Sequence, residues 1–164
     1  MNINYDEYLS IVSFLYDEAM LLDDKRYKDW VSLLTEDFEY RIFMADFVPY
    51  SNEGPKLITI LDEDRKAVER RINRLYSEYA WAEDPQSHTL RVVSNITVLD
   101  KANEIYTVRS YLILHRDRGD LKDEVFYAKR NDKIIKTSNG YKLKKRDVTL
   151  MESILKERNI SVIL

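Results

Sequence analysis

The chain has 164 residues, 45% hydrophobic and 34% charged, with a formal net charge of −3 at pH 7. That is the size of one domain, 1–164, long enough to bury about 70% of the surface its unfolded form exposes. No apolar run approaches the roughly 20 residues of a membrane helix, and the acidic balance gives no bulk attraction to nucleic acid. With no cysteine, disulfides, thiolate zinc sites and cysteine-bound iron–sulfur clusters are excluded.

The first residues, Met1 to Glu7, lack the basic and apolar stretches of a secretory signal, so cytoplasm is the expected compartment. Tyr5, Tyr8, Val12, Leu15, Ala19 and Leu22 recur at three- and four-residue steps, which predicts a helix over 5–23. Asn4 is its N-cap, with Asp6 and Glu7 where the helix dipole favours negative charge. Asp23 to Arg26 is a polar break, and Tyr27, Trp30, Val31 and Leu34 predict a second short helix. Thr35 to Asp37 then reads as a turn, and Phe38, Tyr40 and Ile42 alternate as a strand. Pro49, Gly54 and Pro55 mark a loop, followed by an apolar run, 57–61, that reads either as a short strand or as a segment covering another part of the chain. Asp62 reads as the N-cap of a third helix that buries Val68, Ile72, Leu75, Tyr76 and Tyr79.

The stretch 81–99 is the hinge of the chain. Pro85 stops any helix, and Leu90 to Leu99 reads as the first edge strand of a sheet, with Leu90, Val92, Ile96 and Val98 on one face. Residues 104–116 alternate strictly as a long strand. A third strand starts near Val125, and Asn139-Gly140 is a strong hairpin signal before a last strand over 141–150. The apolar end, Ile160 to Leu164, is expected to dock. The helical part thus covers about 1–80 and the sheet part about 81–164.

Helices followed by a meander of long antiparallel strands define an α+β protein. Burying both the helical stripe and the sheet face calls for a strongly curved sheet wrapped round the first helix. The arrangement resembles the cone-shaped fold shared by nuclear transport factor 2, ketosteroid isomerase and scytalone dehydratase.

Particular residues narrow the resemblance. Phe14-Leu15-Tyr16-Asp17-Glu18-Ala19, then Leu21-Leu22-Asp23-Asp24 and Tyr27-Lys28-Asp29-Trp30, are similar to the start of the small (beta) subunits of aromatic-ring-hydroxylating dioxygenases. So are Trp81-Ala82-Glu83-Asp84-Pro85, Val93-Ser94-Asn95 eight residues on, Val108-Arg109-Ser110 and Asn159-Ile160-Ser161-Val162. The chain departs from the pattern over 45–61, and at Arg91, where many members have histidine. The resemblance implies a non-catalytic subunit with no metal or cofactor of its own. It implies a large (alpha) partner carrying a Rieske [2Fe-2S] cluster and a mononuclear iron, which dihydroxylates aromatic rings. The expected assembly is three large plus three small subunits around a trimeric core.

The residue inventory agrees with that division. A Rieske centre takes two cysteines and two histidines, and an iron triad takes two histidines and a carboxylate; this chain has only His88 and His115. Large aromatic and charged groups in the hinge make Trp81, Glu83, Asp84 and Arg91 candidates for subunit interfaces. The alternative is a cofactor-free isomerase or dehydratase acting in the cone, for which Tyr16, Asp24, Tyr40, His88, Arg109 and Tyr111 are the cavity candidates. Each has a plainer reading: Tyr16 and Tyr40 as core, Asp24 as a helix cap, His88 as an ordinary surface or hydrogen-bonded residue, and Arg109 and Tyr111 as filling the cone or pairing with a carboxylate. Lys142, Lys144 and Arg146 share one strand face and Lys145 the other, a poor basis for nucleic-acid binding.

Overall fold

The computed structural model describes residues 3–45, 56–76, 87–117, 119, 123–151, 160 and 162–164. Helix α1 (Tyr5–Asp23) starts where its pattern predicts, with the Asn4 side chain accepting a hydrogen bond from the Glu7 amide at 2.8 Å. Its buried stripe, led by Ile11, Leu15 and Leu22, packs on the sheet. Each such side chain stabilises the fold by roughly 1.5–3 kcal/mol. Helix α2 (Tyr27–Ser32) buries Trp30.

Strand β1 (Leu34–Ala45) begins earlier than expected: Thr35, Glu36 and Asp37 lie in the strand, not in a turn. An irregularity between Leu34 and Glu39 in its pairing absorbs the polar residues. Strand β2 (Leu57–Asp64) runs on through Asp62, so the N-cap of α3 (Arg65–Leu75) is Asp64, which accepts from the Ala67 amide at 2.8 Å. Tyr76, expected in the core, is exposed at the end of α3.

The remaining strands are β3 (His88–Ala102), β4 (Ile105–Asp117), β5 (Glu124–Thr137) and β6 (Gly140–Leu150). All six form one sheet in the order β2-β1-β6-β5-β4-β3, and only the β1–β6 pair is parallel. The first half of the chain therefore supplies two strands to the same sheet, and β3 is an edge as expected. Gly140 sits at φ +108°, the left-handed side that its hairpin requires.

Strand β3 corrects one expectation. Leu90 and Val92 face outward while Arg91 and Val93 face in, yet Ile96 and Val98 are buried. A bulge between Ser94 and Thr97, with Asn95 at φ +51°, shifts the alternation by one. At the end of the chain Val162, Ile163 and Leu164 dock in the core.

Candidate functional site

The space between α1 and the sheet is where a cone-fold enzyme would hold its substrate, and here it contains paired charges. Glu18 lies three residues after Leu15 and four before Leu22, so the helical period turns it into the core. Arg146 alternates with Val148 and Leu150 on the inner face of β6, opposite Asp132 of β5. The Arg146 guanidinium donates Nε–H to Asp132 Oδ1 and Nη2–H to Asp132 Oδ2, both at 2.9 Å. It also donates from both Nη atoms to the two oxygens of Glu18 and from Nη1 to the Leu164 carbonyl, at 3.4 Å. All five of its N–H groups are used. Trp30 Nε1–H completes the Glu18 shell at 2.9 Å.

Arg130 is the unequal member. It is fully buried, its Nε–H donates to Ser110 Oγ at 3.1 Å, and Nη1 lies 3.8 Å from Glu18 Oε2. Neither Nη atom has a hydrogen-bond acceptor. Burial, then the neighbouring Arg146, pulls the Arg130 guanidinium down to about 10. Burial pushes the Glu18 carboxyl up, but Arg146 and Arg130 outweigh it and hold the group at about 2. Burial works against the Arg146 cation too, and Asp132 and Glu18 outweigh it and raise it well above its ordinary value.

Two further arginines close the rim. Arg91 Nη2–H donates to the Ile163 carbonyl at 2.6 Å, Nη1 pairs with Asp23, and its main-chain N–H reaches the same carboxylate at 2.8 Å. Arg71 pairs with Glu63 and lies over the Tyr40 ring, 5.5 Å from its centroid. The Tyr40 hydroxyl accepts the Leu164 N–H at 3.0 Å, and burial raises its pKa. Docked residues 162–164 and the sheet are thereby tied by polar as well as apolar contacts.

Such an interior is poorly made for acid–base chemistry. A general acid or base works best with a pKa near the operating pH, and Glu18 and Arg146 are displaced from neutrality in opposite directions by each other. Among the described residues, surface hollows open beside α3, of about 200 Å³ against Lys28, Val31 and Glu69, and about 480 Å³ against Glu63, Arg70 and Arg74.

Of the six cavity candidates, the structure turns only Tyr40 inward. Tyr16 is exposed on the far side of α1, and Asp24 caps the C-terminus of α1 rather than the start of α2, where Arg26 stands. His88 is exposed at the start of β3. Arg109 and Tyr111 point outward from β4, because the residues alternating with them, Val108, Ser110 and Leu112, fill the inner face. Arg91, expected at a subunit interface, is spent inside its own chain: the bulge that follows it leaves Arg91 and Val93 on the core side. Trp81, Glu83 and Asp84 lie outside the described residues. His115 Nε2 lies 3.3 Å from Asp123, and among the described residues no group of three or more metal-ligating side chains forms.

Sequence reasoning missed Glu18, Arg130, Asp132 and Arg146. The signal was present: each is a charge at a position where the 3.6- or 2-residue period demands an apolar side chain.

A curled sheet packed against an N-terminal helix, with a buried ion cluster between them, places the molecule in the cone-shaped α+β class. The solved naphthalene 1,2-dioxygenase contains a chain that superimposes with a TM-score of 0.87 at 24% identity, covering 99% of this chain and 88% of that one. Residues 17–157 match the model of the ring hydroxylating beta subunit family. The biphenyl 2,3-dioxygenase subunit beta of Rhodococcus jostii is 32% identical, covering 92% of this chain and 85% of the relative. The 3-phenylpropionate/cinnamic acid dioxygenase subunit beta of Photorhabdus laumondii is 34% identical, covering 93% and 89%. The chain belongs to the ring hydroxylating beta subunit family, the small subunits of ring-hydroxylating dioxygenases.

Proposed function

We propose that this beta subunit acts as a scaffold: it supports an iron-containing large subunit that dihydroxylates an aromatic ring, and contributes no reacting group itself. The observation that carries this reading is the buried cluster between α1 and the sheet, where Arg146 pairs with Glu18 and Asp132 and engages both carboxylates. The composition supports it, since a chain without cysteine cannot supply the thiolates of a Rieske cluster. The cluster and the mononuclear iron are assigned to the large partner. The assembly is three large and three small subunits, with Trp81, Glu83 and Asp84 contributing to contacts between them. Cytoplasm is the compartment this role requires, and among the described residues no helix is long and apolar enough to cross a membrane.

Co-expression tests the reading. A tagged copy of this chain is expected to retain, in equal amounts, a larger chain bearing Cys-x-His and Cys-x-x-His, and all the iron is expected in that larger chain. Stoichiometric iron in the purified beta subunit would refute the assignment.

A further inference from the structure

The interior has a local excess of hydrogen-bond donors. Among the described residues, the buried side-chain atoms without a partner are Thr35 Oγ1, Arg71 Nη1, Arg91 Nε and both Nη atoms of Arg130. Arg130 and Arg91 are also electrostatic neighbours, since the Arg91 cation is one of the charges that lower the Arg130 guanidinium.

The two arginines arrive from different strands. Arg130 stands on the inner face of β5 opposite Ser110 of β4, and both side chains are buried. Its Nε–H goes to Ser110 Oγ, so the four N–H bonds of Nη1 and Nη2 are left without an acceptor. The Ser110 hydroxyl accepts that bond and can donate its own hydrogen. Arg91, on the inner side of β3, spends Nη1 on Asp23 and Nη2 on the Ile163 carbonyl, and keeps Nε–H.

The neighbouring carboxylates do not meet this surplus. Glu18 Oε2 is 3.8 Å from Arg130 Nη1, beyond hydrogen-bond reach, and both Glu18 oxygens accept from Arg146. Both oxygens of Asp132 also accept from Arg146. Even lowered to about 10, Arg130 is a cation at neutral pH, and a buried charged donor without an acceptor is costly. A ligand suited to this donor set accepts and does not donate. Water brings two hydrogens that need acceptors of their own, whereas an anion brings none. Beside Arg130 the inner faces of β4 and β5 carry their smallest buried side chains, Ser110 and Ala128, which suits an ion of one atom.

We infer that the interior binds one monovalent anion of chloride size, held by Nη1 and Nη2 of Arg130, with the Ser110 hydroxyl and Arg91 Nε–H as further donors. The site is structural: by binding the folded chain and not the unfolded one, the ion stabilises the fold by mass action. It goes beyond the scaffold reading and stands without it.

Bromide tests the site, because its anomalous scattering locates it in crystals of the full chain. A peak within hydrogen-bond reach of the Arg130 Nη atoms is expected in the wild type and none in Arg130→Met. In solution, chloride is exchanged for gluconate at constant ionic strength and stability is followed by urea titration. Well above the dissociation constant, each tenfold increase in chloride is expected to raise the wild type's folded-to-unfolded ratio roughly tenfold. Arg130→Met is expected to match the wild type without chloride and to show no chloride dependence. Bromide confined to the surface (an adventitious ion only), or a water on the Arg130 Nη atoms in its place, would overturn the inference. So would wild-type stability indifferent to chloride, or an equal chloride response in Arg130→Met. The wild-type crystal and titration decide the matter even if the variant does not fold.

Discussion

Arg146 and Glu18, 128 residues apart in sequence, form a two-pronged ion pair that joins the last strand to the first helix inside the core. Neither side chain is exposed to solvent. A buried ion pair is often no more stabilising than apolar residues of the same volume, but removing one partner is costly because the other charge remains. Arg146→Met strands two carboxylates, and is expected to cost about 3–5 kcal/mol in a urea titration. Replacing Glu18 and Arg146 together by leucine and methionine is expected to recover a large part of that loss.

Arg130 is expected to behave in the opposite way. Its Nη atoms find no acceptor, and its lowered pKa reflects a cation held in place against its solvation. Arg130→Met relieves that cost while removing one charge that faces Glu18. The expected change in stability is within about 1 kcal/mol of zero, far smaller than at Arg146. A loss as large as that of Arg146→Met would show that the long 3.8 Å approach to Glu18 is a strong interaction.

The acid limb of stability follows from Glu18. Its carboxyl, ordinarily near 4.5, is held at about 2 in the fold. A depressed carboxyl adds stability that is fully present above pH 4.5 and disappears as pH falls toward 2, about 3 kcal/mol at one unit per 1.4 kcal/mol. Trp30, whose indole N–H donates to Glu18, reports locally through its fluorescence. In Glu18→Gln the slope of stability against pH between 4.5 and 2 is expected to flatten, leaving the smaller contributions of other carboxyls lowered by their partners, such as Glu7 beside Lys101.

Arg91 ties the end of the chain to the start of the sheet. Arg91→Leu removes the bond to the Ile163 carbonyl and leaves Asp23 with its main-chain and Thr89 donors alone. Hydrogen exchange is expected to accelerate first at the Leu164 amide, which donates to Tyr40, with a stability loss of about 1–3 kcal/mol. Equal protection in both proteins would mean that apolar docking of Val162, Ile163 and Leu164 is sufficient.

Much of this fold was legible because most of its periods are clean. The helix from Tyr5 to Asp23, its Asn4 cap and the alternation of β4 follow from residue spacing alone. The failures have a common form. At Asn95 and at Leu34 to Glu39 a local irregularity changes the pairing register, and a period of two carries no record of where such a residue falls. Asp62 and Asp64 compete for the same cap, and the choice depends on how far β2 pairs with β1, a contact distant in sequence. The interior cluster was hidden for another reason. Glu18 and Arg146 are legible as misplaced charges one at a time, but that they belong to each other depends on how helix and sheet meet.

Oxygen uptake with an aromatic substrate and an electron donor tests the scaffold role most directly, measured on the isolated beta subunit and on the reconstituted complex. No uptake is expected from the beta subunit alone at any concentration, with turnover appearing when the large subunit is added. Steady substrate conversion by the purified beta subunit, abolished by Glu18→Gln, would contradict it and place the chemistry inside the cone.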